Sequence, residues 1–174
     1  MREAIASYGR ALGALDSFPA DTARNRLELE TRIALGVPLT AALGYADQEV
    51  HANYTRARQL ATELDDPVHN FSALWGLWTN HRARLEMHEA RKLAEELNRL
   101  AGTVEDDSRM LAAHHAQWTT HLYLGDLARA AEHCDRGIRL YDPERHHKHV
   151  LIYGGHDPGV CGVGTSALNL CLLG

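Results

Sequence analysis

The sequence predicts an all-α fold built as a stack of helical hairpins, and three observations carry that prediction. The first is a self-echo. Trp78-Thr79-Asn80-His81 returns 40 residues on (78 to 118) as Trp118-Thr119-Thr120-His121. At the same offset Ala73 meets Ala113, Ala90 meets Ala130, and Arg99-Leu100 meets Arg139-Leu140. The second is composition: Ala, Leu, Glu and Arg dominate the chain, and these residues lose little rotamer freedom in a helix. The third is punctuation by Asp-Pro pairs, in which the aspartate caps a helix and the proline fills a first-turn position that needs no N–H. A fixed repeat in helix-forming sequence means units that cannot bury their apolar faces alone.

The elements follow in order. Met1 to Leu15 carries apolar residues at helical spacing but no capping residue, so it reads as the second helix of a hairpin whose first half is missing. Asp21 caps a helix predicted to reach Leu35, and Gly36-Val37-Pro38 with Gly44-Tyr45 forms a link to a helix from Asp47 to Leu64. Asp66-Pro67 opens a helix to about Leu85. The next, from about His88 to Ala101, is expected to end on a left-handed cap at Gly102. Asp106 or Asp107 starts a helix to Tyr123, and Gly125-Asp126 turns the chain into another that reaches Tyr141 and stops at Asp142-Pro143. Glu144 to His156 reads as a long polar connection. Asp157-Pro158 then opens a last helix, Gly159 to Leu173, that has no polar face. Both ends read as unpaired hairpin halves, so residues 1–174 are expected to be a single array cut from a longer multidomain protein.

Composition excludes several classes. At 174 residues and 45% hydrophobic, the chain can bury a substantial core. A net charge of −5 gives no general basic footprint, so no nucleic-acid partner is expected in this segment. No stretch approaches the roughly 18 apolar residues that read as a membrane span, and the N-terminus lacks an apolar signal core. The expectation is a cytoplasmic chain without a membrane partner. Cys134, Cys161 and Cys171 form neither a disulfide framework nor a C-x2-C ligand spacing and are expected to be reduced packing residues.

Leu124-Gly125-Asp126-Leu127-Ala128-Arg129-Ala130, followed by Gly137 to Pro143, resembles the second half of a tetratricopeptide repeat. In that family a small residue sits where the two helices touch. Ala57, Ala90 and Ala130 occupy that position here, with spacings that bracket the usual repeat of about 34 residues. Where the family prefers glycine in the first helix this chain has Trp78 and Trp118, so those hairpins are expected to splay. The resemblance implies a right-handed superhelical stack, a tetratricopeptide-like α-solenoid. A second resemblance rests on Leu74-Trp75-Gly76-Leu77-Trp78, the Arg91 to Leu100 run, Leu140 to His146 and Tyr153 to Val160. These look like the helical region downstream of a predicted ATPase module in large bacterial signalling proteins. Many of those carry adenylate or guanylate cyclase modules, and others are transcriptional activators. That resemblance implies a non-catalytic segment that binds a partner or senses an effector.

In tetratricopeptide arrays the first helices line a concave groove. Counting back from Ala90 and Ala130 places Ser72, Trp75, Thr79 and Arg82 on one wall and His115, Thr119 and Leu122 on the next. Trp75 with Arg82 would make an aromatic anchor beside a charged donor, although Trp75 and Trp78 at i, i+3 equally read as a buried stripe. The expected occupant is a protein, a peptide or a small effector, with neighbouring domains of the parent chain as further partners.

No catalytic residue, cofactor or metal ligand is assigned. The twelve histidines raise the alternative of a metal-dependent hydrolase using residues such as His146 and His149, with His147 and His156 close in sequence. Consecutive residues point apart, however, and no Cys, Asp or Glu at a standard ligand spacing completes that cluster. His81 and His121, repeating with the tryptophans, are expected to be hydrogen-bonded at hairpin junctions. Gly159 to Gly164 lacks the Lys-Ser/Thr end of a phosphate loop, and no G-x-S-x-G elbow exposes a nucleophile. A third reading is a pure homo-oligomerisation module, a dimer through the Val160 to Leu173 helix that charges at Leu168 and Leu172 would dissociate.

Overall fold

A computed structural model of the chain describes residues 2–103, 106–150 and 156–174. The described residues are helical, without a strand. The helices are α1 (Arg2–Leu15), α2 (Thr22–Leu43), α3 (Gln48–Glu63), α4 (Pro67–Ala83), α5 (Met87–Ala101), α6 (Asp107–Tyr123), α7 (Leu127–Leu140), the short α8 (Pro143–His146) and α9 (Pro158–Leu173). The chain divides into two compact units, Met1–Arg84 and Leu85–Gly174. The predicted 40-residue offset holds to the residue, since α4 and α6 both have 17 residues and begin and end at matching positions. Within the connection predicted from Glu144 to His156, α8 forms its start, and 151–155 lie outside the described residues.

The starts of these helices are written in aspartates. Asp21, Asp47, Asp66, Asp106, Asp126, Asp142 and Asp157 each accept backbone N–H groups of the following first turn. Each satisfies donors that a helix start otherwise leaves to water.

In the first unit α1 packs on α2, α2 on α3 and α3 on α4, and α2 also reaches α4. Leu29, Ala57, Leu60, Ala61 and Ala73 form the core there, with Ile33 and Leu64 against it. Tyr54 of α3 is seated on two glycines, Gly36 of α2 and Gly76 of α4, where an added methyl group would overlap its ring. Glu28 is buried and accepts from Arg32 Nε at 2.8 Å and from Arg56 Nε and Nη2 at 3.0 and 3.1 Å. Burial alone would raise the Glu28 pKa, but the two guanidiniums hold it below its ordinary value. Asn80 donates to the carbonyls of Tyr45 and Asp47 at 2.7 and 2.9 Å, tying α4 to the α2–α3 connection.

The link predicted at Gly36-Val37-Pro38 is instead helix. Pro38 lies inside α2, which runs on to Leu43 and closes with Gly44 N–H donating to Thr40 O. An interior proline costs about 3 kcal/mol. Leu35 and Leu39, one turn apart on the same face, are both buried, and two such side chains at about 1.5–3 kcal/mol each offset that cost. The left-handed cap expected at Gly102 is also corrected: its φ is −71°, because the chain continues in a right-handed turn with Gly102 N–H bonded to Asn98 O. Left-handed backbone occurs at Asp65, Leu85 and Gly125, the residues two beyond the ends of α3, α4 and α6.

In the second unit α5 packs on α6, α6 on α7, and α9 on both α7 and α6. Leu111, Trp118 and Cys134 form its core, with Tyr141 and Cys161 alongside. Room for the fully buried indole of Trp118 comes from the second helix of the hairpin. Gly137 of α7 faces the ring edge so closely that a Cβ would collide with it, and Gly162 of α9 also lies near the ring. The small residue that faces Trp118 therefore stands on the second helix of the hairpin.

Candidate functional site

Of the predicted groove residues in the first unit, Ser72, Trp75, Thr79 and Arg82 fall on one strip of α4. Trp75 is only 5% exposed and packs on Trp78 with ring centroids 4.8 Å apart, so the buried-stripe reading holds and no open aromatic anchor is offered. Thr79 is 7% exposed and donates to the Gly76 carbonyl at 2.8 Å. Ser72 and Arg82 retain solvent access. The Arg82 guanidinium carbon stands 5.6 Å from the Trp78 ring centroid, a cation–π geometry.

In the second unit Thr119 and Leu122 are half-buried on α6, whereas His115 is buried. Its imidazole stacks on Trp118 at 4.8 Å and 18°, and its Nε2 lies 3.4 Å from the Cys161 sulfur. Of the seven expected groove residues, Ser72 and Arg82 in the first unit and Thr119 and Leu122 in the second reach solvent.

The α6–α7 hairpin holds a line of imidazoles. His114 Nδ1 and His133 Nδ1 are 2.9 Å apart, so one nitrogen donates and the other accepts. The His133 ring stacks on His121 at 5.8 Å, and His121 Nδ1 lies 3.5 Å from Asp126, the cap of α7. His121 thus sits at a hairpin junction, as expected. Burial, then the neighbouring His133, lowers the His114 pKa to about 4. Burial likewise lowers His133 and His121. These groups are neutral at pH 7.

A second imidazole pair lies C-terminal to α7. His146 is fully buried, its Nδ1 accepts the Asp142 N–H at 2.9 Å, and its ring meets His149 at 5.2 Å. Burial followed by His146 lowers His149 to about 4.

Between α7 and α9 lies an open apolar cleft of about 550 Å³, lined by residues including Ile138, Tyr141, Val160 and Val163. The Tyr141 hydroxyl donates to Asp157 at 2.8 Å at its edge. Burial would raise the Asp157 carboxyl, but that hydrogen bond and those from the Val160 and Gly159 amides hold it below its ordinary range. The outer face of α9 is apolar and open, with Val160 74% exposed and Leu168, Leu170 and Leu172 also exposed. No helix among the described residues is long and apolar enough to cross a membrane.

One convergence went unread in the sequence. His115, His156 and Cys161, treated there as a groove residue, a member of the C-terminal histidine cluster and a packing residue, bring one donor atom each to within 4.8 Å of the others. They come from α6, from the segment before α9 and from α9 itself.

No family model matches the chain. It is similar to an uncharacterized protein of Rhizobium meliloti (strain 1021), with 28% identity over 157 residues. That match takes in 89% of this chain, which spans only 15% of the relative's length.

Proposed function

We propose that the chain is a tetratricopeptide-like segment of a larger regulatory protein, a right-handed stack of helical hairpins that binds a polypeptide or small effector on its first-helix face and performs no chemistry of its own there. The observation that carries this reading is the repetition itself. Helices of equal length recur at a 40-residue offset, with Trp78 and Trp118, Ala73 and Ala113, and Ala90 and Ala130 buried at matching places. Stacked repeats share interfaces with their neighbours, so a ligand that prefers one curvature shifts the population of the whole array. The small share of the Rhizobium relative that this chain spans supports a segment working beside other domains.

The binding face under this reading is narrower than the sequence predicts: Ser72 and Arg82 on α4, Thr119 and Leu122 on α6. The test places a photo-crosslinking amino acid at Ser72 or Thr119 in cells and, as controls, at the exposed second-helix positions Glu95 and Asp135. Adducts from Ser72 and Thr119 alone are expected. Equal yields from all four positions, or none from the first-helix pair, refute the assignment.

A further inference from the structure

Three side chains from two stretches far apart in sequence meet in the second unit. Cys161 Sγ stands 3.4 Å from His115 Nε2, 46 residues away, and the ring of His156 meets that of His115 at 5.1 Å. One donor atom from each of the three lies within 4.8 Å of the other two. For a metal bound tetrahedrally at about 2.1 Å from nitrogen and 2.3 Å from sulfur, trigonometry puts those two donors about 3.6 Å apart. The observed His115–Cys161 separation is close to that value, and a His156 nitrogen lies within 4.8 Å of both donors.

Two of the three donors are held before any ion arrives. His115 is buried and stacked on Trp118, whose fully buried ring lies against Gly137. Cys161 sits in the capped start of α9, with its own amide bonded to Asp157 O. His156 is exposed and opens the cluster to solvent.

We propose that His115, His156 and Cys161 bind one zinc-class divalent cation, which fastens α9 and the segment before it to α6. One thiolate and two imidazoles favour zinc, cobalt or nickel over the hard cations magnesium and calcium. On binding, the Cys161 S–H bond breaks, its electron pair goes to the metal and its proton to solvent. Both imidazoles bind neutral through a ring-nitrogen lone pair, so no electron is transferred. Water completes the fourth position on the solvent side. None of the three donors is among the four solvent-facing residues proposed for partner binding, and the site stands or falls independently of them.

The experiment uses the whole chain, chelator-washed and kept under a phosphine reductant, titrated with cobalt(II) and then zinc(II). Tetrahedral thiolate coordination predicts one equivalent of cobalt with intense visible d–d bands and a near-ultraviolet thiolate-to-cobalt charge-transfer band, all displaced by zinc. Zinc should slow alkylation of Cys161 and leave Cys171 reactive. It should also raise Tm by about 5–10 °C at a hundredfold excess over Kd. Cys161→Ser must abolish the charge-transfer band, and Cys134→Ser and Cys171→Ser must keep it. His156→Gln changes an exposed side chain, circular dichroism checks that the fold is retained, and the variant should weaken cobalt binding at least tenfold. Cobalt that binds without a thiolate band marks adventitious capture by imidazoles such as His146, His147 or His149, a thiolate band unchanged in Cys161→Ser marks capture by Cys134 or Cys171, and either result overturns the proposal. So does unaltered affinity in folded His156→Gln.

Discussion

Replacing Gly137 by alanine tests the packing of the second unit with a single carbon atom. An alanine Cβ would overlap Trp118 Cζ3 and lie 3.2 Å and 3.3 Å from Cε3 and Cη2, closer than carbon atoms pack without strain. The indole is fully buried, so moving away from the new methyl group means displacing its neighbours. Overpacking of this kind costs about 1–3 kcal/mol. The same substitution gains up to about 1 kcal/mol from helix propensity, so Gly137→Ala alone conflates two effects of opposite sign. Gly164→Ala separates them, since Gly164 lies in α9 of the same unit with nothing within 4 Å of its Cβ position. For a chain of this size 1 kcal/mol moves Tm by about 2–4 °C. Calorimetry or urea unfolding should therefore show Gly164→Ala stabilised by up to about 1 kcal/mol and Gly137→Ala below it by about 1–3 kcal/mol. In a Trp118→Phe background, which removes the second ring, the gap should close. If Gly137→Ala stabilises as much as Gly164→Ala, the ring is not held against the glycine and the reasoning fails.

Acid should weaken the second unit through the His114–His133 pair. The folded His114 pKa is about 4 and its ordinary value 6.5, so between those limits the unfolded chain binds a proton that the folded chain refuses. The contribution is complete above pH 6.5 and is lost as pH falls toward 4, at up to about 1.4 kcal/mol per pH unit, about 3 kcal/mol in all. Urea unfolding at pH 7 and pH 4.5 measures it, and His114→Asn should flatten the dependence; an unchanged slope in that variant refutes the assignment. At the turns, Leu85 holds a left-handed φ of 61° while 71% exposed, and Gly125 holds φ +78° with open space around it. Leu85→Gly should be neutral to stabilising by about 1 kcal/mol, and Gly125→Ala destabilising by about 1 kcal/mol, both read by urea unfolding. A stabilised Gly125→Ala would contradict the backbone argument.

The features legible in the sequence were those set by near neighbours. Each aspartate cap acts over two or three residues, so Asp66, Asp126 and Asp157 announce their helices without help from the rest of the chain. The repeat was legible because equal spacing survives in a linear string. Pro38 misled for a physical reason: its local cost is real, but it is outweighed by the burial of Leu35 and Leu39, a tertiary gain invisible in the local pattern. The same holds for Trp118 and Gly137, which look like unrelated choices until α6 and α7 are paired. It holds most strongly for the candidate metal cluster, because His115 and Cys161 are 46 residues apart and no ligand motif links them. For the groove, residue spacing placed the strip on α4 and α6, but spacing carries no information on depth, and Trp75, Thr79 and His115 lie beneath the surface.

The seating of Tyr54 on Gly36 and Gly76, and of Trp118 on Gly137, constrains how such a chain can drift over generations. Neither member of a pair can change size alone without leaving a void or forcing a collision, so viable routes pass through a shrunken ring before the glycine is given up. Distant descendants should therefore keep ring and glycine as a unit or lose them as one, and an orphaned glycine facing a small side chain would mark a lineage caught midway.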